Sequence, residues 1–145
     1  MIKTVMQPVK PHKKFIGVDD MDEFVLNWAV AHALGETVYR ARKRAWLTKP
    51  IGKYDSSHKM PYWSPTTRWE QAGPIIEREK IDLFTEKGTP ESWVASVARY
   101  QNGERLVGWR IHQYGPTPLI AAMRCLVASR LGEQVEVPNE LMTVL

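Results

Sequence analysis

The chain has 145 residues, of which 43% are hydrophobic and 25% are charged, with one cysteine and a formal net charge of +4. These values fit one globular domain with a real core, and they exclude wholesale disorder and an internal disulfide. No apolar run approaches the roughly 18–20 residues of a membrane span, and the N-terminus lacks the apolar segment of a secretory signal, so we expect a cytoplasmic protein.

Positive charge is concentrated in the first part of the chain. Residues 1–60 hold 11 Lys and Arg against 6 Asp and Glu, whereas residues 61–145 hold 9 against 10. We interpret residues 1–18 as an extended basic arm, with an edge strand or anchor at 15–18, and residues 19–145 as one globular domain. The surplus charge either attracts an acidic partner or serves solubility.

A first helix is predicted to start within residues 20–23, with Asp20 as its cap, and to run to Leu34. Asp20 and Glu23 form a variant of the capping box, and Gly35 supplies the stop. The helix is apolar around much of its circumference, with Asn27 and His32 as its polar exceptions, so we expect it to be well buried.

Residues 39–47 alternate basic and other side chains, which favours a strand over a helix. Residues 48–63 are punctuated by proline, glycine and serine and predict a long loop, a kind of segment that is often functional. Ser64 followed by Pro65 then predicts the start of a second helix that ends near Lys80.

Within that second helix, Trp69 shares an apolar stripe with Ala72 and is expected to face the core. Pro74 should kink or interrupt the helix, because proline lacks a backbone donor. Gly73 should permit close approach of another backbone.

The clearest signal for strands is Asn102-Gly103 between the alternating runs 92–101 and 104–113, which predicts a hairpin. A short strand is expected at 81–84 and another at 134–137. Thr117 and Pro118 begin a third helix that Gly132 ends. The sequence therefore predicts an α+β fold, with about three helices on a small, mostly antiparallel sheet.

The hairpin allows a prediction of which side chains are neighbours. A two-residue turn pairs 101 with 104, and the pairing then continues to 97 with 108 and 93 with 112. In this register one face is core and is expected to carry Val94, Ser96, Ala98, Val107, Trp109 and Ile111. The other face brings Trp93, Arg110 and His112 together. A one-residue slip would exchange the two faces.

An aromatic ring beside a guanidinium and an imidazole suits a nucleotide, because the ring stacks on the base and arginine binds phosphate. The alternative is a half-exposed sheet face on which Arg110 simply covers Trp93. Trp63, at the end of the predicted loop, and Arg68 are further candidates for the same ligand site, or for a surface that binds a partner.

A second candidate surface is the basic segment Arg40, Arg42, Lys43 and Arg44, which lies between Tyr39 and Trp46. Positive charge next to stacking surfaces is typical of nucleic-acid contacts, although no recognised nucleic-acid-binding motif accompanies it. The alternative interpretation is a solvated basic strand or helix end.

No catalytic or metal-binding constellation is evident. The four histidines are scattered, and the chain lacks a nucleophile elbow, a phosphate-binding loop and a dinucleotide fingerprint. Asp55 and His58 share a loop but form a weak candidate pair. Cys125 lies within a helix among small residues, so we expect a buried, inert thiol. The sequence predicts no enzyme, no metal and no cofactor.

Two segments resemble the NinX-like family of bacteriophage proteins: residues 69–77, with the pattern W-x-x-A-G-P-I-I-E, and residues 118–124, which begin P-L-I-A-A-M. The resemblance covers roughly residues 62–131 and implies a phage or prophage accessory protein, without an assigned reaction, that we expect to act in the host cytoplasm. Our leading hypothesis is a non-enzymatic binder of a small anionic, nucleotide-like ligand. The alternatives are a nucleic-acid accessory protein, working through the basic N-terminal half, and a module that binds a host protein.

Overall fold

The computed structural model describes residues 13–50, 52, 61–88 and 90–142. Within these ranges it has an α+β fold, as predicted. The helices are α1 (Glu23–Leu34), α2 (Trp69–Glu79) and α3 (Pro118–Leu131), and the strands are β1 (Lys13–Gly17), β2 (Tyr39–Ala41), β3 (Ala45–Leu47), β4 (Tyr62–Trp63), β5 (Asp82–Thr85), β6 (Trp93–Gln101), β7 (Glu104–Gly115) and β8 (Gln134–Pro138). Most of the predicted arm and of the predicted loop, including Asp55 and His58, lies outside the described residues.

The strands form three small antiparallel sheets where one was predicted. β1 pairs with β8, β3 lies between β2 and β4, and β6 lies between β5 and β7. Because β1 pairs with β8 along its whole length, residues 13–17 of the predicted arm are part of the folded domain.

The core is built around α3. Every side chain from Leu119 to Ser129 is buried, and the helix packs against α1 and against β6 and β7. Thr117 caps α3 by accepting a hydrogen bond from the amide of Ile120, and Pro118 occupies the first turn, as predicted. The small residues of α3 allow elements to pack on all its sides.

The start of α1 differs from the prediction. Asp22, not Asp20, is the N-cap, and its carboxylate accepts a hydrogen bond from the amide of Val25 at 2.9 Å. Asp20 instead ends a 3-10 turn, Val18–Asp20, which buries Val18. The end of α1 at Gly35, in the left-handed conformation, is confirmed.

The start of α2 also differs from the prediction. Ser64 and Pro65 begin a separate turn, closed by hydrogen bonds from the amides of Thr67 and Arg68 to Ser64 O, and the helix begins only at Trp69. The end of α2 at Lys80 is confirmed. As the first residue of α2, Trp69 is not in the core: it is 55% exposed.

Gly73 and Pro74 lie inside α2. The helix continues through Pro74 without interruption. A methyl group at Gly73 would meet no atom within 4 Å, so the predicted close approach of another backbone at this position was wrong.

The basic segment is not one continuous strand. Residues 42–44 form a turn between β2 and β3, in which Lys43 and Arg44 both adopt positive φ, 60° and 53°. Left-handed backbone cannot continue a strand, and the chain reverses there, pairing Ala41 with Ala45.

The predicted hairpin exists, and its turn lies at Asn102-Gly103, where both residues have positive φ. Its predicted register is confirmed from the turn to Arg99, which pairs with Leu106. Beyond that point the prediction was wrong, because β7 bulges outward by three residues, 107–109, and Ala98 pairs with Arg110. A bulge of three residues, an odd number, exchanges the two faces of β7 relative to β6.

Candidate functional site

A candidate site lies where α1, the sheet β2-β3-β4 and the turn before α2 meet. It is a cleft with a cavity volume of about 260 Å³. Its lining combines aromatic rings, hydroxyl and amide groups, two guanidinium groups and one carboxylate. The residues are Glu23, Phe24, Asn27, Arg44, Ala45, Trp46, Tyr62, Trp63, Ser64, Thr67 and Arg68. We call this site the aromatic cleft.

Two tryptophans fix the sheet wall of the aromatic cleft to α1. Trp46 Nε1 donates to Phe24 O and Trp63 Nε1 donates to Asn27 O, both at 2.8 Å. The Trp46 ring also stacks on Phe24, with the centroids 4.8 Å apart. Because both indole N–H groups are used to hold β3 and β4 in place, neither is a free donor for a ligand, and only the partly buried Trp63 presents ring surface, since Trp46 is buried.

Asn27 and Gln71 hold the opposite wall, the turn at 64–67. Asn27 Oδ1 accepts from the amide of Thr66 at 3.1 Å, and Asn27 Nδ2 donates to Ser64 Oγ at 3.4 Å. Gln71 reaches back from α2, accepting from the Ser64 amide and donating to Tyr62 O, both at 2.6 Å. The cleft is therefore built before any ligand arrives, which lowers the entropy cost of binding.

The two guanidinium groups of the cleft differ in their existing partners. Arg44 lies 4.4 Å from the Phe24 ring, donates to Leu141 O and forms a 2.6 Å ion pair with Asp22. Arg68 lies 5.6 Å from the Tyr62 ring, and its ion pair with Glu70 is long, 3.8 Å, and exposed. Exposed ion pairs of this kind contribute little to stability. Arg68 is therefore the cation that an incoming anion can recruit at low cost.

The structure separates the predicted ligand-binding residues into two groups. Trp63 and Arg68 line the aromatic cleft, but Trp93, Arg110 and His112 lie on the sheet β5-β6-β7. The bulge in β7 places Arg110 and His112 on the face that carries Ser96, whereas Trp93 lies on the opposite face and packs against the core. The prediction that Trp93, Arg110 and His112 are neighbours was wrong.

The predicted core face of the hairpin changes for the same reason. Ala95 and Val97 pack towards α3 together with Ile111, whose predicted place at the core is confirmed. Val94 and Ser96 are buried as predicted, but on the opposite face of the sheet, and Trp109, expected in the core, lies in the bulge and is 65% exposed.

Arg110 is already engaged on its own face of the sheet. Its Nε donates to Ser96 Oγ at 2.7 Å, and its Nη2 lies 2.7 Å from Asp82. Asp82, Ser96 and His112 occupy one row across the three strands. In a catalytic triad the histidine stands between the serine and the carboxylate. Here Ser96 stands in the middle and accepts a hydrogen bond from Arg110, so this row does not have the arrangement of a triad.

The described residues give little support for a reactive thiol, a metal site or a membrane-spanning helix. Burial raises the pKa of the Cys125 thiol to about 12, so this sulfur is protonated and unreactive at neutral pH, as expected for a buried, inert thiol. Across residues 13–50, 52, 61–88 and 90–142, no group of three or more His, Cys, Asp or Glu is placed to hold a metal ion. No helix in those ranges is long and apolar enough to span a membrane.

Sequence reasoning missed several residues of the aromatic cleft. Asn27 did give a signal, as a polar residue on an otherwise apolar helix, and Arg44 was assigned to a different surface. Glu23 and Gln71 gave no signal of a place in the cleft, because their roles depend on the turn before α2. The sequence predicted that Ser64 and Pro65 begin the helix, so this turn was not expected.

The fold and the cleft describe a small α+β protein with one preformed, aromatic, arginine-bearing site and no metal cluster among its described residues. Residues 17–130 match the family model described as Bacteriophage P22, NinX, and the chain belongs to this family. Membership confirms the resemblance seen in the two sequence segments and suggests a phage accessory protein. No curated protein matches the chain.

Proposed function

We propose that this protein is a non-enzymatic binder of a small anionic ligand, a mononucleotide or a molecule of similar chemistry, and that the ligand occupies the aromatic cleft. The observation that carries the proposal is the position of Arg68. Its guanidinium lies at the edge of a preformed aromatic cavity, with a single weak ion pair to Glu70.

The walls of the cleft supply what such a ligand needs. Tyr62 and Trp63 offer ring surface to a planar group, and Ser64 and Thr67 offer hydroxyls that now bond each other at 2.6 Å. A guanidinium binds phosphate or carboxylate oxygens in a bidentate manner. These are the few polar groups in a mainly aromatic lining that characterise small-molecule sites.

The volume of the cleft limits the size of the ligand. Pockets for drug-sized molecules are about 300–1,000 Å³, so a cavity of about 260 Å³ fits one nucleoside-sized group and not a dinucleotide. Glu23, the one carboxylate of the lining, disfavours a ligand that carries negative charge on both ends. A single phosphate directed to Arg68 satisfies both limits.

The experiment is isothermal titration calorimetry of the purified protein with the four common mononucleotides and inorganic phosphate. We expect at least one of them to bind to the wild type, and Arg68→Ala to weaken that binding at least tenfold, because about 1.4 kcal/mol corresponds to tenfold and a charge-assisted bond contributes about that much. Arg68→Lys should be intermediate, since it keeps the charge and loses the bidentate geometry.

Arg99→Ala is the matched control. Arg99 is an exposed arginine of β6, outside the cleft, and forms no ion pair with any residue of the described ranges. Binding that Arg68→Ala leaves unchanged would place the ligand elsewhere, and the absence of heat with every compound would refute the proposed function.

A further inference from the structure

Six basic residues come together at one corner of the molecule, on the side of the β2–β3 turn. Four belong to the basic segment, and two, Lys13 and Lys14, begin β1. We call this surface the basic patch; it consists of Lys13, Lys14, Arg40, Arg42, Lys43 and Arg44.

The end of β8 joins the two halves of the basic patch. Lys13 pairs with Pro138, the last residue of β8, and the next four residues form the 3-10 turn Asn139–Met142. Arg40 donates to Glu140 O at 3.4 Å and Arg44 to Leu141 O at 3.2 Å, so the β2–β3 hairpin is held against this turn. Residues that lie far apart in the sequence thus form one cationic surface.

Arg40 and Arg44 anchor the patch, whereas Arg42 and Lys43 do not. Arg42 and Lys43 are exposed at the tip of the hairpin, and within the described ranges neither forms an ion pair or a side-chain hydrogen bond. Acidic side chains near the patch are Asp22, Glu23, Glu136 and Glu140; Asp22 is paired with Arg44, and Glu23 lines the aromatic cleft with Arg44. Six cations against four carboxylates leave the surface positive.

The backbone of the turn between β2 and β3 is strained. Lys43 and Arg44 are consecutive non-glycine residues at positive φ, where glycine or asparagine is favoured. Strained backbone of this kind is enriched at functional sites. The side chain of Arg44 has a structural role, because it binds Asp22. Within the described residues, the exposed side chain of Lys43 has no such role.

We propose that the basic patch binds the phosphate backbone of double-stranded DNA, with Arg42 and Lys43 as the contacts at the tip of the hairpin. A surface that gathers several unopposed cations matches the charge density of a duplex, one phosphate charge per roughly 1.7 Å. Recognition of single strands also needs exposed rings for base stacking. Among the described residues, none next to the tip contacts Arg42 and Lys43 is aromatic: Trp46 is buried and stacked on Phe24, and the exposed rings of Tyr39 and Phe15 lie in β2 and β1.

This inference is independent of the aromatic cleft, because neither Arg42 nor Lys43 lines it. The test is fluorescence anisotropy with a labelled DNA duplex of about 20 base pairs, of arbitrary sequence, over a range of salt concentrations. For the wild type we expect binding at low salt, with the logarithm of the affinity falling linearly as the logarithm of salt rises. The double variant Arg42→Ala, Lys43→Ala should bind more weakly and lower the magnitude of that slope by about 2.

The control is Lys87→Ala, Arg99→Ala, which removes two exposed cations from the region of the sheet β5-β6-β7 and should leave the slope unchanged. Lys43→Gly separates charge from fold: it relieves the left-handed strain, so it should raise the melting temperature while weakening DNA binding. No binding at low salt, an unchanged slope in the Arg42, Lys43 double variant, or tighter binding to the single strand than to the duplex would each overturn the proposal.

Discussion

Arg130 donates to both carboxylate oxygens of Glu79, at 2.8 Å each, and so ties the end of α3 to the end of α2. Arg105 of β7 lies 3.3 Å from the same carboxylate and Arg78 lies 3.4 Å from it. Glu79 is 4% exposed. One buried carboxylate thus holds three elements together, and removing it leaves guanidinium groups without their partner.

Glu79→Gln should therefore destabilise the fold strongly. Removing one member of a buried charged group costs about 3 kcal/mol, and we expect a loss of this size in the free energy of unfolding at pH 7, measured by urea denaturation. Glu77→Gln, on the exposed side of the same helix, is the matched control and should change it by less than about 0.5 kcal/mol. Equal losses from the two variants would contradict the role assigned to Glu79.

The same carboxylate makes stability depend on pH. Burial alone would raise the pKa of Glu79, but the hydrogen bonds and charges of Arg130, Arg78 and Arg105 outweigh it and hold the pKa below the ordinary value of 4.5. A lowered pKa stabilises the fold above pH 4.5, and that contribution is lost as the pH falls through the folded-state pKa. The difference in stability between wild type and Glu79→Gln should therefore shrink below pH 4.5. A constant difference from pH 6 to pH 3 would count against this linkage.

Gly73 should tolerate alanine better than Gly115 does. A Cβ at Gly115 would lie 2.6 Å from the backbone nitrogen of Ala121, so the end of β7 and the first turn of α3 must separate. We expect Gly115→Ala to cost about 1–3 kcal/mol, as overpacking does. Gly73→Ala meets no atom beyond its own helix and its chain neighbours, and we expect a smaller change in stability, because the higher helix propensity of alanine is opposed by the contact of its Cβ with the ring of Pro74. Thermal denaturation of the two variants measures both effects, and stabilisation by Gly115→Ala would show that this contact yields easily.

The elements that local chemistry dictates were predictable from the sequence. Thr117 and Pro118 begin α3 because their effects act within one turn, and Asn102-Gly103 turns the hairpin because both residues tolerate positive φ. The pairing beyond Arg99 was not predictable. A bulge is a departure from the alternation on which a register argument depends, and Gly108, at a φ of 85°, is its only local sign.

The candidate site was predictable only in part, since its parts come from segments that are distant in sequence. Trp63 and Arg68 were recognised because aromatic and basic residues near a loop suggest binding. What unites them with Arg44 is the packing of three elements, fixed by the tryptophan hydrogen bonds to α1. Contacts between distant segments leave no periodic pattern in a single sequence, so an argument from periodicity cannot find them.

Cys125 should be inaccessible to thiol reagents in the folded protein. Its Sγ donates to Ile111 O at 3.3 Å, its side chain is fully buried, and burial raises the pKa of the thiol to about 12. We expect negligible reaction with a disulfide reagent at pH 8 and prompt reaction of one thiol in guanidinium chloride. Rapid labelling of the native protein would show that α3 opens locally.

The raised pKa of Cys125 also has a consequence for stability at high pH. The neutral thiol is favoured by the fold, so its contribution is fully present below pH 9.0, the ordinary value, and is lost as the pH rises towards 12. Cys125→Ala should therefore lose less stability than the wild type between pH 9 and pH 11. Parallel stability curves for the two proteins would indicate that the thiolate is accommodated without cost.

Asn27 should be the polar residue of α1 whose side chain is hardest to replace. It is buried, its Oδ1 accepts from the Thr66 amide at 3.1 Å and its Nδ2 donates to Ser64 Oγ. Asn27→Ala leaves the buried Thr66 amide without its partner, which costs about 1–3 kcal/mol. His32→Ala, on the exposed side of the same helix, is the control and should cost less than about 1 kcal/mol, although it loses a stack on Trp28.

Asn27→Ala should weaken ligand binding as well as lower stability. Because the Thr66 amide and Ser64 lie in the turn that precedes Arg68, releasing them lets the guanidinium leave its place at the edge of the aromatic cleft. For any nucleotide that binds the wild type, Asn27→Ala should weaken binding even at temperatures where the variant is fully folded, whereas His32→Ala should not. Unchanged affinity in a folded Asn27→Ala protein would mean that the turn keeps its position through Gln71 alone, whose bonds to Ser64 and Tyr62 are both 2.6 Å long.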